Sequence, residues 1–242
     1  MIEAKKKIIK KKDFGINIEE MAKVGVNFGH RISKCHPKMK PFVIGVKGSD
    51  HINMIDLEKT KEYFIKTLEF LGEFIKQDKT ILFVGTKLPV RKLVEETARE
   101  CKMPYVINRW LGGTLTNFSI MKKRLEYFKE LEEKKETGEL KKYTKKERLE
   151  FDRELERLDL KFGGIKYIDK LPDCLFIIDM RKNELAIKEA KAKGIPVLAI
   201  ADTEVDPEKV DYFIPANDDA ITSVKYILQK VKEVILKNKP AK

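Results

Sequence analysis

Short apolar runs recur along the chain, separated in several places by longer stretches whose apolar residues are three or four positions apart. The runs cover 42–46, 52–55, 81–84, 105–107, 175–178, 197–200 and 212–214. The stretches with helical spacing cover 58–76, 88–101, 183–193 and 218–237. Continuous apolar strands that alternate with amphipathic helices are typical of a parallel sheet covered on both faces. The pattern therefore predicts an α/β fold built on a doubly wound parallel sheet.

Residues 119–162 break this alternation, because they contain no strand-like run and carry dense charges of both signs. Apolar residues recur there at spacings of three and four, at Phe118, Met121, Leu125, Phe128 and Leu131 and again at Phe151, Leu155, Leu158 and Phe162. A Thr137-Gly138 turn signal separates the two stripes, and Thr144 with Glu147 makes a capping-box pattern before the second. Two narrow stripes of similar length predict an inserted antiparallel coiled-coil hairpin.

The interruption divides the chain into three predicted parts. Residues 1–17 form a basic N-terminal tail. Residues 18–118 and 163–242 together form the α/β core, and residues 119–162 form the hairpin inserted into it.

Polar residues mark the expected ends of several elements. Asn17 precedes a short helical pattern and is expected at its N-cap. Asp218 and Asp219 precede the last helix, where their charge suits the positive end of its dipole. Asp179 and Asp202 directly follow apolar runs, and forming a turn or capping a helix is the ordinary role of such residues.

The positive charge of the chain is concentrated near its N-terminus. The 242 residues carry a net charge of +12, and 37% of them are charged. Residues 1–12 contribute +5, and residues 21–49 contribute +6 without a single acidic side chain. Cations grouped in this way favour a polyanionic partner, because each one placed on a phosphate releases condensed counterions. A general solubility surplus would not be expected to concentrate in two blocks.

Cysteine usage and hydropathy favour a reducing, cytoplasmic compartment. The three cysteines, Cys35, Cys101 and Cys174, are far apart and odd in number, so no disulfide framework is expected. No apolar run approaches the roughly 18–20 residues needed to span a bilayer. The N-terminus has no apolar segment of the kind found in secretory signals. We therefore expect no membrane association.

Motifs for catalysis are absent, although two alternatives stay open. Neither G-x-x-x-x-G-K-[ST] nor G-x-G-x-x-G occurs, and no nucleophile elbow or triad pattern is present. An enzyme with this fold would place Lys87, Asp179 and Asp202 at the carboxyl edge of the sheet. A metal site is suggested by His30, Cys35 and His36, but their spacing matches no common zinc framework. We expect no catalysis, no cofactor, no metal and no small-molecule substrate.

Two segments are better explained by binding than by folding. Residues 25–42 are basic, rich in small residues and interrupted by prolines, and such a loop is too polar to bury itself. Residues 108–118 follow a strand and contain the only tryptophan, whose ring either stacks on a base or packs in the core. The predicted RNA-binding residues are Arg31, Lys34, His36, Lys38, Lys40, Lys87, Arg109 and Trp110. The main anchor is expected at Arg31, Lys34, Lys38 and Lys40.

The chain resembles the family of ribosomal protein two of the small subunit, in its bacterial form, from about residue 17 to about residue 237. The resemblance rests on Gly-Val-Asn-Phe-Gly-His (25–30), His-Pro-Lys-Met-Lys-Pro (36–41), His-Ile-Asn-Met-Ile-Asp-Leu-Glu-Lys-Thr (51–60), Ile-Leu-Phe-Val-Gly-Thr-Lys (81–87), Arg-Trp-Leu-Gly-Gly-Thr-Leu-Thr-Asn (109–117), Tyr-Thr-Lys-Lys-Glu (143–147), Gly-Gly-Ile-Lys (163–166), Leu-Pro-Asp (171–173) and Ile-Pro-Ala-Asn-Asp-Asp-Ala-Ile (214–221). Matches of this length and order are highly specific. The chain departs from the family at Cys35-His36, where members often have Trp-Asn.

The resemblance implies a flavodoxin-like α/β domain with a coiled-coil insertion. It also implies a structural, non-catalytic constituent of the small ribosomal subunit that binds small-subunit rRNA between head and body. The expected partners are that rRNA, neighbouring small-subunit proteins and ribosomal protein one, whose docking the family supports. The expected location is the cytoplasm, in the ribosome, and the alternative location is the ribosome of an organelle. The alternatives are a flavodoxin-like nucleotide-binding enzyme and a coiled-coil adaptor that works off the ribosome.

Overall fold

The computed structural model describes residues 14–49 and 51–239, so most of the predicted basic tail lies outside the described residues. The strands are β1 (Phe28–Arg31), β2 (Val43–Lys47), β3 (Ile52–Ile55), β4 (Ile81–Val84), β5 (Tyr105–Val106), β6 (Cys174–Ile177), β7 (Val197–Ala201) and β8 (Tyr212–Pro215). The α-helices are α1 (Ile18–Lys23), α2 (Leu57–Lys76), α3 (Arg91–Glu100), α4 (Phe118–Glu136), α5 (Lys145–Phe162), α6 (Glu184–Ala192) and α7 (Ile221–Asn238). Within the described ranges, no helix is long and apolar enough to cross a bilayer.

Five parallel strands form the central sheet in the order β5-β4-β6-β7-β8. Renumbered along the sheet, this is the 2-1-3-4-5 order of the flavodoxin-like doubly wound folds. Strands β4, β6 and β7 are buried along their whole length, because helices cover both faces and leave no side for water. The predicted α/β fold class and its flavodoxin-like order are confirmed.

Two of the seven predicted strands belong to a different sheet. Strands β2 and β3 pair with each other antiparallel, and β1, which the sequence pattern did not predict, completes a three-stranded sheet in the order β1-β3-β2. The reason is the connection between β2 and β3, which is too short for the crossover of a dozen or more residues that parallel neighbours require. Gly48, with φ +74°, supplies the left-handed turn between them. These two runs therefore lie outside the parallel sheet that the alternation of strands and helices predicts.

Side chains of the parallel strands alternate between two buried clusters. On one face, Phe83 and Phe176 pack with helices α2, α3 and α7. On the other face, Leu82 and Leu175 pack with α6, with the loop that contains Trp110, and with α4 and α5. Every strand position is therefore used for packing, which leaves only the ends of the strands to carry exposed polar groups.

Helices α4 and α5 occupy the position of the predicted hairpin and contact each other. Their inward residues are Met121, Leu125, Phe128, Leu131, Leu155, Leu158 and Phe162, all buried. The capping box of Thr144 and Glu147 is formed at the start of α5, and Gly138 takes the left-handed turn after α4. The inward stripe belongs to the same cluster as the strands of the core, so the base of the hairpin is continuous with the core. The coiled-coil supercoil and the domain boundaries stay predictions.

Two of the predicted helix caps have different outcomes. Asn17 caps α1 as expected, because its side chain accepts a hydrogen bond from the Glu19 amide at 2.8 Å. The capping role predicted for Asp218 and Asp219 was wrong. Helix α7 begins after Ala220, and the side chain of Asn217 accepts from the two amides that precede the helix.

Candidate nucleic-acid interface

The carboxyl ends of the parallel strands converge on Lys87. Its Nζ lies 2.9 Å from Asp218 Oδ1 and 3.9 Å from Asp179 Oδ2, and it also pairs with Asp219. Burial alone would lower the pKa of Lys87, but the three carboxylates outweigh it and hold that pKa above its ordinary value. Burial raises the pKa of Asp218, and Asp202 and Asp179 raise it further. Lys87 is therefore the counter-ion of a buried acidic group.

His30 on β1 completes this group from the antiparallel sheet. Its Nδ1 lies 3.1 Å from Asp202 Oδ1, and its Nε2 lies 3.2 Å from Asp219 Oδ2 and 3.7 Å from Glu204 Oε1. The neighbouring Asp202 carboxylate raises the pKa of His30 to about 9, although partial burial opposes this shift. His30 is therefore protonated at neutral pH. We call His30, Lys87, Asp179, Asp202, Asp218 and Asp219 the carboxyl-edge cluster.

Residues 28–42, the covering segment, lie over this edge of the sheet. The amide of His30 donates to Thr203 Oγ1, and the amide of His36 donates to the Thr203 carbonyl, both at 2.8 Å. A Cβ on Gly29 would come within 2.5 Å of Thr203 Cγ2, so only glycine permits this approach. The edge at which related folds hold ligands is thus filled by side chains of the chain itself. Lys87, Asp179 and Asp202 do lie at this edge, as the enzyme alternative required, but Lys87 pairs with Asp179 and Asp202 pairs with His30.

The covering segment is ordered and partly buried, contrary to the expectation that its loop is too polar to bury. It forms two short 3₁₀ turns, Ile32–Lys34 and Pro37–Phe42, and the side chain of Met39 in the second turn is fully buried. Phe42 is also buried and packs edge-on against Tyr63 and Phe213. The burial of Met39 and Phe42 therefore anchors the segment on the core despite its polar sequence.

The four cations of the predicted anchor divide into two kinds. Arg31, Lys34 and Lys40 are exposed, and none of them forms an ion pair with a residue in 14–49 or 51–239. Lys38 is also exposed, but its Nζ lies 3.1 Å from Asp206 and also pairs with Glu208. Three of the four side chains therefore present their charge to solvent.

His36 has a local role in the backbone. Its ring Nδ1 accepts from the Lys38 amide at 3.3 Å and so caps the second 3₁₀ turn. The Cys35 thiol points to the His36 carbonyl at 3.7 Å, and burial raises the pKa of that thiol. Among the residues that the structure describes, no group of three or more His, Cys, Asp and Glu side chains is arranged to hold a metal ion.

Arg109 and Trp110 point in opposite directions. Arg109 is exposed, whereas Trp110 is only 6% exposed and donates from Nε1 to Glu189 Oε1 at 3.3 Å. Of the two roles considered for Trp110, packing in the core is the one that its burial supports. The neighbouring Arg91 is fixed to the Asn108 side chain and carbonyl at 3.2 and 3.1 Å.

Glu189 is a central residue of this region that sequence reasoning missed. It is a buried carboxylate on α6, and residues 109–117, here called the tryptophan loop, wrap around it. Burial raises the pKa of Glu189, but hydrogen bonds from backbone amides of the loop outweigh it and lower that pKa overall. A signal was present in the sequence, because Glu189 stands three residues after Ala186 and next to Ala190, on the apolar face of the predicted helix 183–193.

These features define an α/β protein of flavodoxin-like order whose usual ligand edge is closed by its own ion pairs and whose covering segment presents cations. The chain belongs to the ribosomal protein S2 family, whose family model matches residues 21–238. It is 45% identical over 224 residues to small ribosomal subunit protein uS2 of a Nitratiruptor species, covering 93% of this chain and 83% of that protein. The uS2 of Dictyoglomus thermophilum is also 45% identical over 224 residues, covering 93% of this chain and 90% of that protein. The family expected from the sequence, in its bacterial form, is confirmed.

Proposed function

We propose that this protein is a non-catalytic structural constituent of the small ribosomal subunit that binds small-subunit rRNA through the covering segment. The observation that carries the proposal is the exposure of Arg31, Lys34 and Lys40 on a segment whose backbone is fixed at Thr203. Cations held on an ordered backbone contact phosphates without a large loss of conformational entropy. The closed carboxyl edge supports the absence of a small-molecule substrate.

The predicted contact residues contribute unequally in this proposal. Arg31, Lys34 and Lys40 reach phosphates directly, and Arg109 adds a fourth exposed cation from the tryptophan loop. Lys38 joins them by exchanging its exposed ion pairs for a phosphate, at little cost because such pairs are weak. Lys87 acts inside the protein as the counter-ion of the carboxyl-edge cluster. Trp110 supports the tryptophan loop through its bond to Glu189, and His36 supports the covering segment by capping its second 3₁₀ turn.

A salt series tests the rRNA proposal. Replacing Arg31, Lys34 and Lys40 together by Gln should flatten the log–log salt dependence of rRNA affinity by about two units, because each phosphate contact contributes roughly 0.7–0.9. The matched control replaces the exposed Lys193, Lys225 and Lys237 by Gln, which removes the same charge elsewhere. A slope equal to the wild-type value in the folded anchor variant would refute the assignment.

The position in the subunit is the second part of the proposal. We place the protein between head and body in the cytoplasmic ribosome, beside neighbouring small-subunit proteins, where it supports the docking of ribosomal protein one. The relatives described above are small ribosomal subunit proteins, which supports the assignment to that subunit. Sedimentation of a lysate should show the protein in the small-subunit fraction and release it at high salt. Sedimentation as a free protein would favour the alternative of an adaptor that works off the ribosome.

A further inference from the structure

We infer that Glu189 is a positioning residue for RNA contact, because its carboxylate holds the tryptophan loop in the shape that presents Arg109. The inference rests on the proposed function, because it names one residue inside the protein that supports the proposed RNA contact. Glu189 does not contact RNA in this view. It acts through the backbone of the loop that wraps around it.

Both oxygens of the Glu189 carboxylate are fully used by this loop. Oε1 accepts from Trp110 Nε1 at 3.3 Å and from the Gly113 amide at 2.8 Å. Oε2 accepts from the Leu115 amide at 2.9 Å and from the amide and hydroxyl of Thr116, each at 3.1 Å. Five donors from four residues thus converge on one buried side chain. The backbone amides form the kind of concavity that binds an anion, and here the anion belongs to the protein.

Only a carboxylate satisfies this arrangement. A glutamine has the same shape, but one of its two terminal atoms is an amide nitrogen that donates and cannot accept. Whichever way the amide of such a glutamine is turned, its NH₂ group faces at least two N–H donors of the loop. Those donors are then left unsatisfied in a buried site. The loop is therefore expected to move away from a glutamine at this position.

Arg109 is held in place by tethers on both sides. On one side, Asn108 is bound by Arg91 and donates from Nδ2 to the Leu160 carbonyl at 2.7 Å. On the other side, Trp110 is bound by Glu189. The side chain of Arg109 is exposed between these two fixed neighbours. Release of the Trp110 tether frees the backbone at Arg109, and a cation that must be ordered on binding loses affinity.

The single tryptophan gives a direct readout of this tether. We compare Glu189→Gln with the control Glu184→Gln, which removes the same charge from the same helix at a partly exposed ion pair. Glu189→Gln should change the Trp110 fluorescence and speed hydrogen exchange at Gly113, Leu115 and Thr116. It should weaken rRNA binding about tenfold, the equivalent of about 1.4 kcal/mol of lost preorganisation. Glu184→Gln should change none of these quantities.

A double-mutant cycle tests whether the effect passes through Arg109. If Glu189 acts by positioning Arg109, then Arg109→Gln should abolish most of the further loss caused by Glu189→Gln. Simple additivity of the two losses overturns the inference, as does full rRNA affinity in a folded Glu189→Gln protein whose loop amides exchange quickly. If Glu189→Gln does not fold, Thr116→Val removes one donor only, and unchanged affinity with a loosened loop then overturns the inference. Failure of the wild type to bind rRNA would instead refute the proposed function.

Discussion

The ring Nδ1 of His30 lies 3.1 Å from Oδ1 of Asp202, and this contact joins the antiparallel sheet to the carboxyl edge of the parallel sheet. His30 is on β1 and Asp202 directly follows β7, so the pair links two sheets that share no strand. Its strength depends on the charge of His30, which makes the attachment of the covering segment sensitive to pH.

Stability should therefore fall between neutral and alkaline pH. The folded-state pKa of His30 is raised to about 9 from 6.5, so its contribution is complete below pH 6.5 and is lost as the pH rises through 9. The pKa difference sets an upper limit of about 3 kcal/mol on the loss of unfolding free energy. The actual loss should be smaller, because solvent reaches the His30 ring and screens the interaction. Urea unfolding at pH 6, 7.5 and 9 measures this change. His30→Gln should flatten the fall in this window, and an equally steep fall in the variant would exclude His30 as its source.

Removal of the Lys87 charge should destabilise the protein strongly. Lys87→Met leaves Asp218 and Asp179 buried without their counter-ion, which typically costs about 3–5 kcal/mol. The exposed Lys92→Met, five residues further along the chain, is the control and should cost less than about 0.5 kcal/mol. Urea midpoints at neutral pH compare the two. Similar midpoints for both variants would show that Lys87 does not stabilise the cluster.

Gly164 should not tolerate a methyl group. A Cβ at this position would overlap the Tyr105 carbonyl oxygen, which is backbone and cannot turn away. Gly164→Ala should therefore separate the end of the hairpin from β5 and cost about 1–3 kcal/mol. Gly45→Ala is the matched control, because no atom lies within 4 Å of its Cβ position. Thermal unfolding distinguishes them, and equal midpoints would contradict the close approach.

The outer part of the hairpin should be dispensable for folding. Residues 133–150 lie between Leu131 and Phe151, the outermost hairpin residues that pack with the core cluster. Their replacement by a short glycine linker should leave unfolding cooperative, while removal of Met121 and Leu125 as well should not. Circular dichroism with urea follows both deletions. Loss of the cooperative transition in the shorter deletion would make the whole hairpin part of the core.

The parallel sheet could be predicted because its strands are continuous apolar runs, and all of them except β7 are followed by an amphipathic helix or by the hairpin. Strand β1 was missed because Phe-Gly-His-Arg has neither an apolar run nor a clean alternation. It forms a strand because it pairs with β3, and Thr203, which is distant in sequence, also binds its backbone. The antiparallel pairing of β2 with β3 could have been predicted from the sequence, because the short connection between them excludes a parallel crossover.

The candidate site was also predicted only in part, because several of its contacts join residues that are distant in sequence. A count of charges identified Arg31, Lys34 and Lys40, because side chains on an exposed segment need no partner to stay in water. A count could not show that Lys87 is neutralised by Asp218, since that depends on strand order. The role of Glu189 depends on five donors that meet only in the folded chain.

The attachment of His30 to Thr203 also sets an order of events during synthesis. The hydrogen bond between them spans 173 positions in the sequence. The covering segment is synthesised early, but Thr203, to which it binds, is synthesised only after β7. Strands of a parallel sheet must also find their neighbours before that edge is complete. Arg31, Lys34 and Lys40 are therefore synthesised early but reach their final positions late. A chain that presents them in those positions has already folded its sheet.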